Sequence, residues 1–197
     1  MLTMYSSPDE MAVLLFATEP TERWYAGGCI PFKTAADEWH EEDAYPEEVF
    51  GIETLKSVKA YRRNRRWFIH SSSQTTVGVW IATAPYSAVE DDSTALGDAI
   101  LEALEESKIG VPHPTDWEGV FSPMLELSGL ASWKDFVKGT SLVSIEVEAA
   151  TATLTPHRNL GHREGFDELE SHYFLLPNDL KACDLGRAVQ GVVAFCK

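Results

Sequence analysis

Cations are scarce in this chain. Its 197 residues hold 16 lysines and arginines against 31 aspartates and glutamates, a formal charge of -15. A field of that sign repels phosphate backbones and draws cationic partners, which argues against nucleic acid as the ligand. Long apolar runs are also missing. No stretch reaches the ~20 residues that span a bilayer, and the apolar run from Met11 to Phe16 follows Asp9 and Glu10 where an export signal would carry basic residues. Neither a membrane partner nor export is expected. The three cysteines, Cys29, Cys183 and Cys196, make no even-numbered disulfide framework and read as reduced thiols of a cytoplasmic protein. A Gly-rich phosphate loop, a serine-nucleophile motif and a Cys-x-x-Cys pair are all lacking, and Gly27-Gly28 alone is a turn signal. No enzyme activity and no cofactor are expected.

What is present is enough to fold. An apolar share of 44% with 11% aromatics lies in the ordinary globular range, and the length suits one generous domain or a domain with an extension. The sharpest change of charge, Lys56 to Arg66, suggests a boundary, with residues 1–60 as an N-terminal extension or subdomain and 61–197 as the main domain. Ser6, Pro8, Asp9 and Glu10 open a short helix reaching about Ala17, with a strand as the competing reading, and residues 19–45 read as loops with a short helix.

Downstream the periodicities are clearer. Residues 67–70 and 77–82 are β-rich and read as a hairpin joined by the polar segment 71–76. Leu96, Ala99, Ile100, Ala103 and Leu104 mark an amphipathic helix that starts after Glu90-Asp91-Asp92-Ser93 and ends near Gly110. Residues 117–137 read as two short helices parted at Gly129, with Ser132 and Asp135 as a capping pair and Gly139 as a stop. Two alternating strands, 143–147 and 151–155, flank a turn at 148–150, followed by a polar loop over 156–170 and a buried strand at 172–176. Leu185, Ala188, Val189, Val192 and Val193 form the stripe of a last helix. The sum is an α+β fold, a mainly antiparallel sheet with helices packed on it.

The two long helices share a pattern. Leu96-Gly97-Asp98-Ala99-Ile100 and Leu185-Gly186-Arg187-Ala188-Val189 both place glycine one residue after the first apolar position, although a mid-helix glycine costs ~1 kcal/mol relative to alanine. Close packing against a sheet would explain that. Each helix also follows strands, so the chain reads as two strand-strand-helix layers, a degenerate duplication or a chance likeness.

Three clusters carry possible chemistry. His157 and His162, with His172 and Cys183 downstream, are zinc-ligand types, but they lack the tight paired spacing of a structural site, and exposed loop histidines are the simpler reading. The same two histidines, beside Arg158 and Arg163, are an acid and base of the kind a ribonuclease uses, against which the charge speaks. The basic stretch Lys56 to Arg66, with Tyr61 and Trp67, can stack on RNA or pair with the chain's own acids; pairing is the reading preferred. The acidic clusters Asp37, Glu38, Glu41, Glu42, Asp43 and Glu90, Asp91, Asp92 repel themselves unless solvent or a cationic partner compensates.

In the C-terminal third, the strands from Leu142 to Thr155, the polar segment opened by Pro156, the apolar segment Tyr173 to Pro177 and the helix at Leu185-Gly186 follow in an order that resembles the immunity proteins of contact-dependent growth inhibition. Residues 67–104 are similar to that family's opening strands and first helix, so the likeness covers about 65–197. The resemblance implies a cytoplasmic protein that binds the toxin domain of a cell-surface effector, often a nuclease, and blocks it without an active site or metal of its own. It carries over no contact residues. On electrostatic grounds alone, Asp37, Glu38, Glu41, Glu42, Asp43, Glu90, Asp91 and Asp92 are the expected toxin contacts. A small metal-dependent nuclease-like protein and an RNA-binding module remain as the alternatives.

Overall fold

The run of cations at Lys56 conceals a strand. Val58 and Ala60 face one core and Tyr61 another, the two-residue period of a strand with both faces buried. In the computed structural model, which describes residues 55–117, 119–169 and 172–197, this is β1 (Lys56–Arg63). It pairs antiparallel with β2 (Arg66–Thr75) on one side and β5 (Ser141–Glu148) on the other. Beyond these lie β3 (Trp80–Glu90), next to β2, and β6 (Thr151–Gly161) with β7 (Gly165–Glu168), giving the order β3-β2-β1-β5-β6-β7. The short β4 (Ile109–Val111) runs parallel to the end of β2, and β8 (Phe174–Pro177) pairs with β6. The α+β fold with a mainly antiparallel sheet is the one expected.

Helices cover both faces. Against one lie α1 (Ser93–Glu105) and α4 (Ala182–Val192), whose Leu96, Ile100, Leu185 and Val189 meet Val58, Ile69, Val143 and Leu154 of the sheet. On the other, α2 (Ser122–Ser128) and α3 (Trp133–Val137) bring Met124 and Phe136 onto Tyr61, Phe68 and Leu142. Edge-to-face rings knit this second core, with Phe121 and Trp133 centred 4.6 Å apart. As expected, α2 ends at Gly129 in the left-handed region (φ 68°), and Ser132 caps α3 at the Asp135 amide.

The glycine pattern has a different cause from the one expected. Gly97 and Gly186 meet not the sheet but each other's helices: a methyl on Gly97 would sit 1.8 Å from the Ala182 carbonyl oxygen, and one on Gly186 1.8 Å from that of Ser93. Ala182 and Ser93 each lie one helical turn before the opposite glycine, so α1 and α4 cross antiparallel with backbone against backbone. The strands repeat this symmetry. β1-β2-β3-α1 and β5-β6-β8-α4 are the same unit joined at the central β1–β5 pair, both helices lying side by side on one face of one sheet.

Other readings are corrected. The polar segment 71–76 is no loop: β2 runs through Ser71, Ser72 and Ser73, all buried, and the turn comes at residues 76–79. The Ser73 hydroxyl is satisfied there, 2.9 Å from Thr83 Oγ1 and accepting from the Lys108 amide at 3.2 Å, and Ser107 donates to the Ser72 carbonyl at 2.6 Å and accepts from the Ser57 amide at 2.9 Å. The polar loop over 156–170 is mostly the β6–β7 hairpin, its turn at 162–164. α1 stops at Glu105, because β4 already occupies residues 109–111. β8 is an edge strand with Phe174 buried and Leu175 58% exposed, not wholly buried. The readings for residues 6–17 and 19–45 lie outside the described residues, as does nearly all of the expected N-terminal unit; β1 runs straight through position 60.

Candidate functional site

The acidic cluster at the end of β3 divides into three roles. Glu90, 79% exposed, pairs with Arg66 at 3.3 Å. Asp92 caps α1, its carboxylate accepting from the Ala95 amide at 2.8 Å. Asp91 is committed inward. Its carboxylate accepts from the Trp67 indole at 2.8 Å, the Gln190 amide at 3.1 Å and the Arg62 guanidinium at 2.6 Å. The Trp67 indole first, then the Arg62 and Gln190 donors, hold its carboxyl below its ordinary range against the opposing effect of burial. Arg62 also lies 5.8 Å from the centre of the Trp67 ring. One carboxylate thus ties β1, β2 and α4 to the start of α1, and the preferred reading of the basic stretch holds for Arg62 and Arg66. Asp37, Glu38, Glu41, Glu42 and Asp43 lie outside the described residues.

The histidines are not gathered into one site. His157, expected to be an exposed loop residue, is buried in β6, where its Nε2 is 2.9 Å from Ser144 Oγ. Burial and the nearby Lys59 ammonium push it down to about 4. A Ser-His pair elsewhere reads as nucleophile and base, but these two are 1% and 4% exposed and no substrate reaches them. His162 lies exposed in the β6–β7 turn, apart from that pair's surroundings. His70, also near 4 because of burial, donates from Nδ1 to the Ser71 carbonyl at 2.7 Å. Lys59 stands between them on the same sheet face, lowered by burial and supported by Glu146 and by Glu168 at 3.9 Å. Periodicity contained the signal for this polar strip, since Lys59, Ser144 and His157 share one face of their strands, but β1 had first to be recognised as a strand.

Among the described residues no group of three or more His, Cys, Asp or Glu side chains is placed to hold a metal, and no helix is long and apolar enough to cross a membrane. Shallow depressions open at Tyr86, Pro123 and Glu126 and at Lys56, Leu101, Glu105 and Asn178. Cys183 and Cys196 are free thiols; Cys196 donates to the Leu142 carbonyl at 3.1 Å.

Asp91 and His157 are thus committed to the packing of the sheet and its helices. Residues 56–196 match the family described as CDI immunity protein. The chain belongs to the CDI immunity protein family. The match begins at β1, upstream of the likeness read from the sequence. Among the solved structures that share the fold are two from bacteria. One is a Neisseria meningitidis protein of unknown function, NMB0488, with a TM-score of 0.63 and 16% identity over 75% of this chain and 99% of that one. The other is a chain of the CdiA-CT/CdiI toxin and immunity complex from Yersinia pseudotuberculosis, with a TM-score of 0.61 and 11% identity over 73% and 98%. No curated protein matches the chain.

For this CDI immunity protein the charge is unevenly spread. Residues 1–54 carry 12 acidic and 2 basic side chains, so -10 of the total -15 lies upstream of the segment that matches the family. The family body itself is only mildly acidic.

Proposed function

We propose that this immunity protein binds the toxin domain of its contact-dependent growth inhibition effector in the cytoplasm and neutralises it by occluding its active site, and that the toxin is a nuclease. Family membership over residues 56–196 carries the toxin-binding part. The nuclease part rests on charge. A nuclease needs a basic cleft for its polyanionic substrate, and a chain of -15 is attracted to such a cleft and competes with that substrate. Inhibition by occupancy needs stoichiometric binding alone, so the protein acts without catalysis, metal or cofactor. The exposed carboxylates Glu90 and Asp92 and the clusters Asp37, Glu38 and Glu41, Glu42, Asp43 are the toxin contacts in this reading, and Asp91 drops out of the expected set because Arg62, Trp67 and Gln190 occupy its carboxylate.

Co-expression with the toxin domain encoded beside it tests the function. Growth rescue and a one-to-one complex on purification are expected; a toxin that stays lethal and does not co-purify rejects it. Degradation of DNA or RNA by the isolated toxin, stopped by an equimolar amount of this protein, tests the nuclease part separately.

A further inference from the structure

We propose that the apolar residues just upstream of β1, Phe50 and Ile52, cover an apolar patch that Val77, Val79 and Ile109 form at one end of the sheet. The inference is independent of toxin binding. Turns ordinarily carry glycine and polar residues, yet the turn into β3 sets Val77, 63% exposed, and Val79, 42% exposed, on either side of Gly78. Ile109 of β4, 46% exposed, adjoins them. The Gln74 amide donates to the Lys108 carbonyl at 2.8 Å, the Thr75 amide to the Val79 carbonyl at 2.8 Å and the Thr76 amide to the Val111 carbonyl at 3.0 Å, so the turn and β4 are held as one surface. Apolar side chains exposed singly are ordinary, whereas a contiguous group marks a contact.

The register of the sheet brings the upstream chain to this place. Continued two residues past the Ser57–Ser72 pair, the β1–β2 ladder would set Leu55 opposite Gln74. Ile109 already stands there. The chain before Leu55 therefore leaves β2 beside β4, although Lys56 still pairs with Val147 of β5. The distance to be bridged is short, because the Ser57 amide donates to Ser107 Oγ at 2.9 Å and Ile109 follows two residues later. Ile52 comes three residues before Leu55 and Phe50 five, so at ~3.5 Å per residue neither backbone position lies more than ~20 Å from it.

A tether this short decides between occupants. It presents Phe50 and Ile52 to the patch at a roughly millimolar effective concentration, and a second copy or another protein has to displace them from far lower concentration. Val49-Phe50-Gly51-Ile52 is the first apolar stretch upstream of Leu55, with Glu53 and Thr54 between. The contact fastens the segment that carries -10 of the charge to the β4 end of the sheet, the end away from the β1–β2 turn.

The test is alkylation of the full chain by iodoacetamide, read at each cysteine by mass spectrometry. The thiol of Ile109→Cys should react about tenfold more slowly than that of Leu175→Cys, whose position on β8 is 58% exposed. Adding Phe50→Ser with Ile52→Ser should abolish that difference, while the native Cys196, bonded to the Leu142 carbonyl at the other end of β5, keeps its rate. Val77→Cys should follow the same pattern, which makes the result independent of any change in β4. An Ile109→Cys thiol as reactive as that of Leu175→Cys, or protection that the two serines leave in place, overturns the inference. So does a rise at Cys196 in step with the rise at position 109, which assigns the protection to the fold as a whole. Protection lost on dilution from about 100 to about 1 μM overturns it in favour of a second copy, and protection that needs added toxin domain overturns it in favour of the toxin.

Discussion

Asp91 shows how much one carboxylate holds when three donors from separate elements meet on it. Replacing it by asparagine keeps the volume but removes the charge that Arg62 and the Trp67 indole face. Asp91→Asn should therefore cost about 2 kcal/mol in urea unfolding, with Asp91→Lys worse because it sets a cation against Arg62. The titrating groups separate by pH. Asp91 has a lowered carboxyl pKa, so its contribution is complete above the ordinary carboxylate range and is lost as pH falls through the folded value. His70 and His157 are held near 4 against an ordinary 6.5, so the unfolded chain takes up their protons first and stability falls as pH drops from 6.5 towards 4. His157→Gln should roughly halve the slope of that part of a stability-pH curve, His70 supplying the rest, and leave the limb below it, where Asp91 acts, unchanged in shape. An equally steep fall between 6.5 and 4 in the variant would show that His157 is not its source.

Among the elements, the α1–α4 crossing is the least forgiving contact. A methyl group placed 1.8 Å from a carbonyl oxygen fits only if one helix moves off the other, and each helix is seated on the sheet by its own apolar stripe. Gly97→Ala and Gly186→Ala should each destabilise by about 3 kcal/mol, against the small gain alanine brings to an exposed helix position. In a chain of this size that is a fall of roughly 10 °C in melting temperature. The repeated glycine was legible in the sequence because both helices keep the same offset from their stripes. Its partner was not, since two amphipathic helices read alike whether they pack on a sheet or across each other. β1 was hidden for another reason. Lysine and arginine carry long apolar stems that run along a sheet face while their charges stay wet, so a strand at the centre of the sheet can look like a charged linker.

For the whole molecule, the net charge is unevenly spread along the chain. Residues 1–54 hold -10 of the net -15, whereas the segment that matches the family holds the described sheet and both of its cores. Steering should follow the charge. Glu41→Lys with Glu42→Lys should slow association with the toxin and reduce its dependence on salt, while dissociation changes little. Unchanged association across 50–200 mM salt, about the range over which screening alters most, would remove that segment from the encounter.

The amino-acid sequence by itself determined the α+β class, the two amphipathic helices, the breaks at Gly129 and Ser132 and the negative field, because each depends on periodicity, local turn chemistry or a sum of charges. Only the tertiary structure decided which polar groups were free. His157 and Asp91 look like exposed chemistry in one dimension, and packing turned both inward, where burial and paired donors commit them to stability. Arg65 looks like one cation among six from Lys56 to Arg66, and the left-handed turn is what leaves it exposed and without a charge partner among the described residues. A residue's availability depends on what lies across the strand and across the crossing, and those neighbours are distant in sequence.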